Sequence, residues 1–97
     1  MSELTPTEGA RYLFERVAES PERASYRVSV FTPTETFAGT AELSDAGAVV
    51  AITAPADHVE MLEMLGKLTA RSAAKKREDG MPPWPARVLR WRGPGRG

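Results

Sequence analysis

The sequence predicts an α+β domain of two layers, in which a three- to four-stranded antiparallel meander is covered by two helices. Three observations lead to that class. Apolar residues recur at helical spacing between Ala56 and Arg77. They alternate with polar ones in two short runs between Ser25 and Leu43, and a short β-branched run, Ala48–Thr53, follows a turn. A further apolar set follows an N-terminal capping pattern at helical spacing.

The elements follow in chain order. Thr5-Pro6-Thr7-Glu8 reads as a capping box, with Pro6 preset at the first helical position. Ala10, Leu13, Phe14, Val17 and Ala18 then share one helix face until Pro21, which leaves Tyr12 near the polar side. Ser25–Phe31 is a strand with Tyr26, Val28 and Val30 on one face. Pro33-Thr34 turns the chain into a second strand, Thr36–Leu43, where Gly39 and Ala41 leave a shallow strip for a close-lying helix. Ser44-Asp45-Ala46-Gly47 has turn chemistry, and Ala48–Thr53 is a third, β-branched strand. The second helix runs from about Ala56 to Arg77, with Pro55 near its first turn and Gly80 past its end. Its apolar residues from Val59 to Ala70 span roughly 240° of the circumference, more than one sheet covers. The first helix or another subunit is expected to cover the remainder. After an extended Met81–Pro85, residues 86–91 are a candidate fourth strand with Arg87, Leu89 and Trp91 on one side. One domain therefore spans residues 1–92, and the Gly- and Pro-rich 93–97 is expected to be a disordered tail.

Composition narrows the function. A chain of 97 residues holds one core. It has no cysteine, which excludes disulfides, thiolate metal sites and cysteine nucleophiles. The start, Met1-Ser2-Glu3-Leu4, lacks the basic and apolar regions of a signal peptide, and no apolar run reaches the ~20 residues of a membrane span, so a cytoplasmic protein is expected. Richness in Ala, Arg, Gly and Pro hints at a GC-rich bacterial genome. Residues 1–66 carry four arginines against eleven acids, and residues 67–97 carry nine cations against Glu78 and Asp79. That polarity fits either an anionic partner for the basic end or an acidic half folded against a basic one.

No catalytic pattern emerges, so the chain is expected not to be an enzyme and to need no cofactor or metal. His58 is the lone histidine and reads as a neighbour of a helix start rather than a general base. Asp57, Glu60 and Glu63 suit the positive end of the helix dipole. Glycine-rich phosphate loops and nucleophile elbows are absent from the sequence. Interaction surfaces are the better prospect. Met61, Met64, Leu65 and Leu68 on the wide apolar arc, with Trp84 and Trp91 in the tail, are the expected interface of a homo-oligomer or of a complex with a protein partner. Arg87, Arg90 and Arg92 beside the tryptophans form an alternative, single-strand nucleic-acid surface.

A third constellation is more specific. Arg23 and Arg27 form an RxxxR just before a strand, and Glu42, Ser44 and Gly47 close the second strand as ExSxxG. Here the sequence resembles PilZ domains, which bind cyclic di-GMP through RxxxR followed by (D/N)xSxxG; Glu42 stands where that motif has Asp or Asn. The resemblance covers residues 23–53 and extends in part to 86–91. It implies that Arg23 and Arg27 would clamp phosphate and guanine, that Ser44 would bond a guanine edge, and that Gly47 would permit close approach. The chain is therefore expected to be a bacterial, non-catalytic regulatory or interaction module, with a degenerate PilZ-like receptor and a nucleic-acid binder as alternatives.

Overall fold

Residues 8–92 are described by a computed structural model, and they form five strands and one helix. The elements are β1 (Ala10–Ser20), β2 (Arg23–Phe31), β3 (Thr36–Ser44), β4 (Gly47–Ile52), α1 (Ala56–Glu78) and β5 (Arg87–Arg92). The strands make one antiparallel sheet in the order β4-β3-β2-β1-β5, with α1 on one face. The α+β class holds. Most of the capping box expected at Thr5–Glu8 and the whole tail expected at 93–97 lie outside the described residues.

The first helix is corrected to a strand. Ala10, Leu13, Phe14, Val17 and Ala18 satisfy a helical period, but Ala10, Tyr12 and Phe14 satisfy a period of two equally well. Pairing on both sides decides between them, because β1 lies between β2 and β5. The exposures separate the readings. Tyr12, assigned to the polar side of a helix, is 2% exposed in the core, whereas Val17, assigned to its buried stripe, is 67% exposed. Val17 falls where the β1–β2 register shifts between Arg16 and Ala18, a bulge that leaves it without a partner on β2. Pro21 ends a strand here, and Pro21-Glu22 forms the two-residue link to β2. No non-glycine residue among those described has positive φ, so this link lacks the Asn-Gly geometry that usually announces a hairpin.

The core lies between the sheet and α1. Tyr12, Phe14, Tyr26, Val28, Val30, Ala41 and Leu43 point toward the helix, which answers with Leu62, Ala70 and Ala73. Helix α1 packs chiefly on β4 and β3. It approaches the sheet closely at Gly66, where an added Cβ would stand 2.8 Å from Ala48 Cβ and 2.9 Å from Leu43 Cδ2. The shallow strip expected at Gly39 serves another purpose: a Cβ there would stand 2.3 Å from the Ala51 carbonyl oxygen, so the missing side chain admits β4 rather than the helix.

Residues 81–85 seal one end of the core. Trp84 is 2% exposed, and its Nε1 donates to the Ser20 carbonyl at 2.9 Å. Arg16 donates to the Trp84 carbonyl at 2.7 Å, and the Tyr26 hydroxyl donates to the Pro85 carbonyl at 2.6 Å. Burial pushes the Tyr26 phenol up to about 12, opposed by Arg16 and reinforced by Glu19. The folded chain therefore keeps this proton where the unfolded chain, titrating at its ordinary 10.0, has lost it. Tyr26's contribution should be complete below pH 10 and should fall as pH rises from 10 through about 12. Urea midpoints followed by circular dichroism should decline across that window, and less steeply for Tyr26→Phe. Equal slopes in the two proteins would remove Tyr26 from the alkaline transition.

Candidate functional site

Because α1 packs chiefly on β4 and β3, a groove remains between its other flank and β5. Two adjoining depressions of about 460 and 250 Å3 run there between the helix and β5. Tyr12, Met61, Met64 and Leu65 line the first with Arg90, Trp91 and Arg92; Leu65, Leu68, Thr69 and Val88 line the second with Lys76, Arg87 and Arg90. Together they form an apolar groove with a basic rim. Met64 and Leu68 are 47% and 50% exposed on its helix wall. The helix periodicity explains why. Leu62, Gly66, Ala70 and Ala73 take the fully buried stripe, so the flank of the wide apolar arc has no sheet beneath it.

The Tyr12 hydroxyl lies 2.9 Å from His58 Nδ1, and the two rings are tilted at 57° with centroids 5.8 Å apart. Burial raises the Tyr12 pKa, Arg92 lowers it, and Asp57 raises it. His58 thus anchors the start of α1 to β1 beside the groove. It also lies 6.1 Å from Phe37, centroid to centroid.

The expected interface residues divide. Met61 and Leu65 are half-buried in the groove and Met64 and Leu68 are exposed along it, whereas Trp91 borders the groove only by its place in β5 and turns its exposed side chain to the other face of the sheet. Trp84 does not join them. Its ring fills the monomer core, and a side chain 2% exposed offers no surface to a partner. The expected nucleic-acid residues divide as well. Val88 and Arg90 pair with Phe14 and Tyr12, which places Arg90 and Arg92 on the helix side, while Arg87, Leu89 and Trp91 alternate to the uncovered side. Arg87 there pairs with Glu15, which pairs in turn with Arg27. A single basic strip is not formed.

Arg23 and Arg27 lie within β2 rather than before it. Arg23 pairs with Ser44, Ser44 with Gly47, and Arg27 with Thr40, so all belong to the uncovered face. Four residues along a strand separate the two arginines by about 13 Å, and Ser25 stands between them. Its hydroxyl donates to Glu42 Oε1 at 2.8 Å, so Glu42 is already engaged. Ser44 Oγ accepts the Ala46 N–H at 3.2 Å. The depression at this turn opens toward Lys67 and Arg71 of α1, whereas Arg23 borders a different one with Glu19 and Ser25. The motif residues are brought to one face without being gathered into one cavity.

Among the described residues no group of three or more His, Asp or Glu is placed to hold a metal ion, and no helix is long and apolar enough to cross a membrane. No protein-family model, curated protein or solved structure matches the chain.

Proposed function

We propose that this chain is a non-catalytic interaction module that engages a protein partner through the groove between α1 and β5. One observation carries the reading: Met64 and Leu68 are about half exposed on an apolar helix margin that the monomer leaves uncovered. Contiguous apolar surface of this kind marks interaction sites. Aromatic residues, methionine and arginine, which mix on these walls, are enriched in interfaces.

The experiment is crosslinking from a photoreactive residue at position 64 in the producing cell. A discrete protein adduct is expected, and Leu68→Lys should abolish it while changing stability by no more than about 0.5 kcal/mol, as for other exposed positions. Absence of any discrete adduct would defeat the reading. So would an adduct indifferent to Leu68→Lys.

A second reading, a degenerate PilZ-like receptor, is supported by the placement of Arg23, Arg27 and Ser44 on one sheet face. Weak affinity for cyclic di-GMP is expected, because the Glu42 carboxylate opposes phosphate. Calorimetry should show binding abolished by Arg23→Ala, since charge-assisted contacts are worth roughly 1.5–3 kcal/mol. Glu42→Asn should tighten it by exchanging a charge for an amide donor. No heat from either the wild type or Glu42→Asn retires this reading.

A further inference from the structure

We propose that the chain forms a two-fold symmetric dimer by pairing β4 with β4 of a second copy, which leaves the groove at β5 free on each subunit. β4 is an edge strand, paired among the described residues with β3 alone. Its sequence, Gly-Ala-Val-Val-Ala-Ile, holds no charge and no proline, and Val49 is 71% exposed. Edge strands that must stay single are protected by charges, proline or bulges. The opposite edge, β5, has Arg87, Arg90 and Arg92, which would face like charges in a self-pair. β4 has no such protection.

The helix above β4 fits the same symmetry. Gly66 lies over both Ala48 of β4 and Leu43 of β3, so α1 follows the seam between them. With strands spaced about 4.8 Å, the seam lies about 5 Å from a two-fold axis beside β4, which sets the two helices about 10 Å apart, an ordinary packing distance. The helix runs opposite to β4, because Arg77 near its end reaches Asp45 in the turn where β4 begins. Two copies of α1 related by the axis are therefore antiparallel. The β4-side flank of α1 carries Glu60 and Glu63 before the level of Val49 and Lys67 and Arg71 after it. Antiparallel pairing sets the acids of each helix against the bases of the other. The second copy is thus matched by an unprotected strand edge and by self-complementary charge, and no other occupant is needed.

The test is light scattering of the full chain at high micromolar concentration. A mass near twice the 10.6 kDa of one chain is expected. Val49→Glu, which sets an acid against its symmetry mate, should give a monomer. Lys67→Glu/Arg71→Glu should also dissociate the dimer by at least about tenfold, and adding Glu60→Lys/Glu63→Lys should restore it by exchanging the signs. Circular dichroism confirms that each variant is folded. A wild-type monomer would overturn the proposal, as would a dimer that survives Val49→Glu. A dimer broken by Met64→Lys and untouched by the charge exchange would place the second copy in the groove. A dimer paired through β4 leaves position 64 free, so its presence or absence does not alter the outcome of crosslinking there to a different protein.

Discussion

Replacing Trp84 by alanine should lower the free energy of unfolding by about 3–5 kcal/mol, the cost of truncating a fully buried large aromatic. The indole is 2% exposed and its N–H satisfies the carbonyl of Ser20, where β1 turns into β2. Removing it opens a cavity and releases the link that Arg16 and Tyr26 make to residues 84 and 85. A small domain has only about 5–15 kcal/mol in total, so Trp84→Ala should remove a large share of its stability. Trp84→Phe separates the two contributions. It refills most of the volume while losing the hydrogen bond, and should cost about 1–2 kcal/mol. Urea titration measures both. Trp91→Ala is the internal control: with its ring 56% exposed, it should shift the midpoint far less. Comparable losses at the two tryptophans would contradict the burial that separates them.

The two tryptophans show where sequence reasoning ran out. Each sits among prolines or arginines in a segment without strong periodicity, and composition alone treats them alike. What divides them is the attachment of β5 to β1, which turns Leu89 and Trp91 to the uncovered side and draws residues 81–85 across the end of the core. That attachment was hidden by the reading of residues 10–18 as a helix. β2 and β3 were legible because each follows the two-residue period, β4 because it is a short β-branched run after a turn, and α1 because Ala56–Arg77 is too long and too regular to be a strand. β1 satisfies both periods over its first half and breaks either one at the Val17 bulge. Its hairpin link, Pro21-Glu22, carries no glycine or asparagine to mark a tight turn.

The candidate site inherited the same ambiguity. A helix at residues 10–18 would lie on the sheet beside α1 and bury Met64 and Leu68. With that segment in the sheet instead, one helix covers β3 and β4 and the groove beside β5 stays open. The apolar arc of α1 was visible from spacing alone. Which part of it faces water follows only from the position of the helix over the sheet.

That position is what Gly66 and Gly39 control, and substituting them should reveal it. Gly39→Ala should cost about 3 kcal/mol, at the upper end for overpacking. Its new methyl would meet main-chain atoms, the Ala51 oxygen at 2.3 Å and Ile52 Cα at 2.9 Å, so β4 itself must move away from β3. Gly66→Ala has two opposed effects. Alanine favours a helix over glycine by about 1 kcal/mol. Against this, the methyl would stand 2.8 Å from Ala48 Cβ, which is fixed to the β4 backbone, and 2.9 Å from Leu43 Cδ2, which can rotate aside. Overpacking of about 1–3 kcal/mol outweighs the propensity gain, so a net loss near 1 kcal/mol is expected. A double-mutant cycle with Ala48→Gly isolates the contact. Ala48→Gly alone weakens β4, but it removes the atom that the new methyl meets, so the double variant should be more stable than the sum of the single changes implies. Additive energies, or stabilisation by Gly66→Ala alone, would mean that α1 stands farther from the β3–β4 seam than this packing requires. In that event the helix separation inferred for a β4-paired dimer would have to be revised with it.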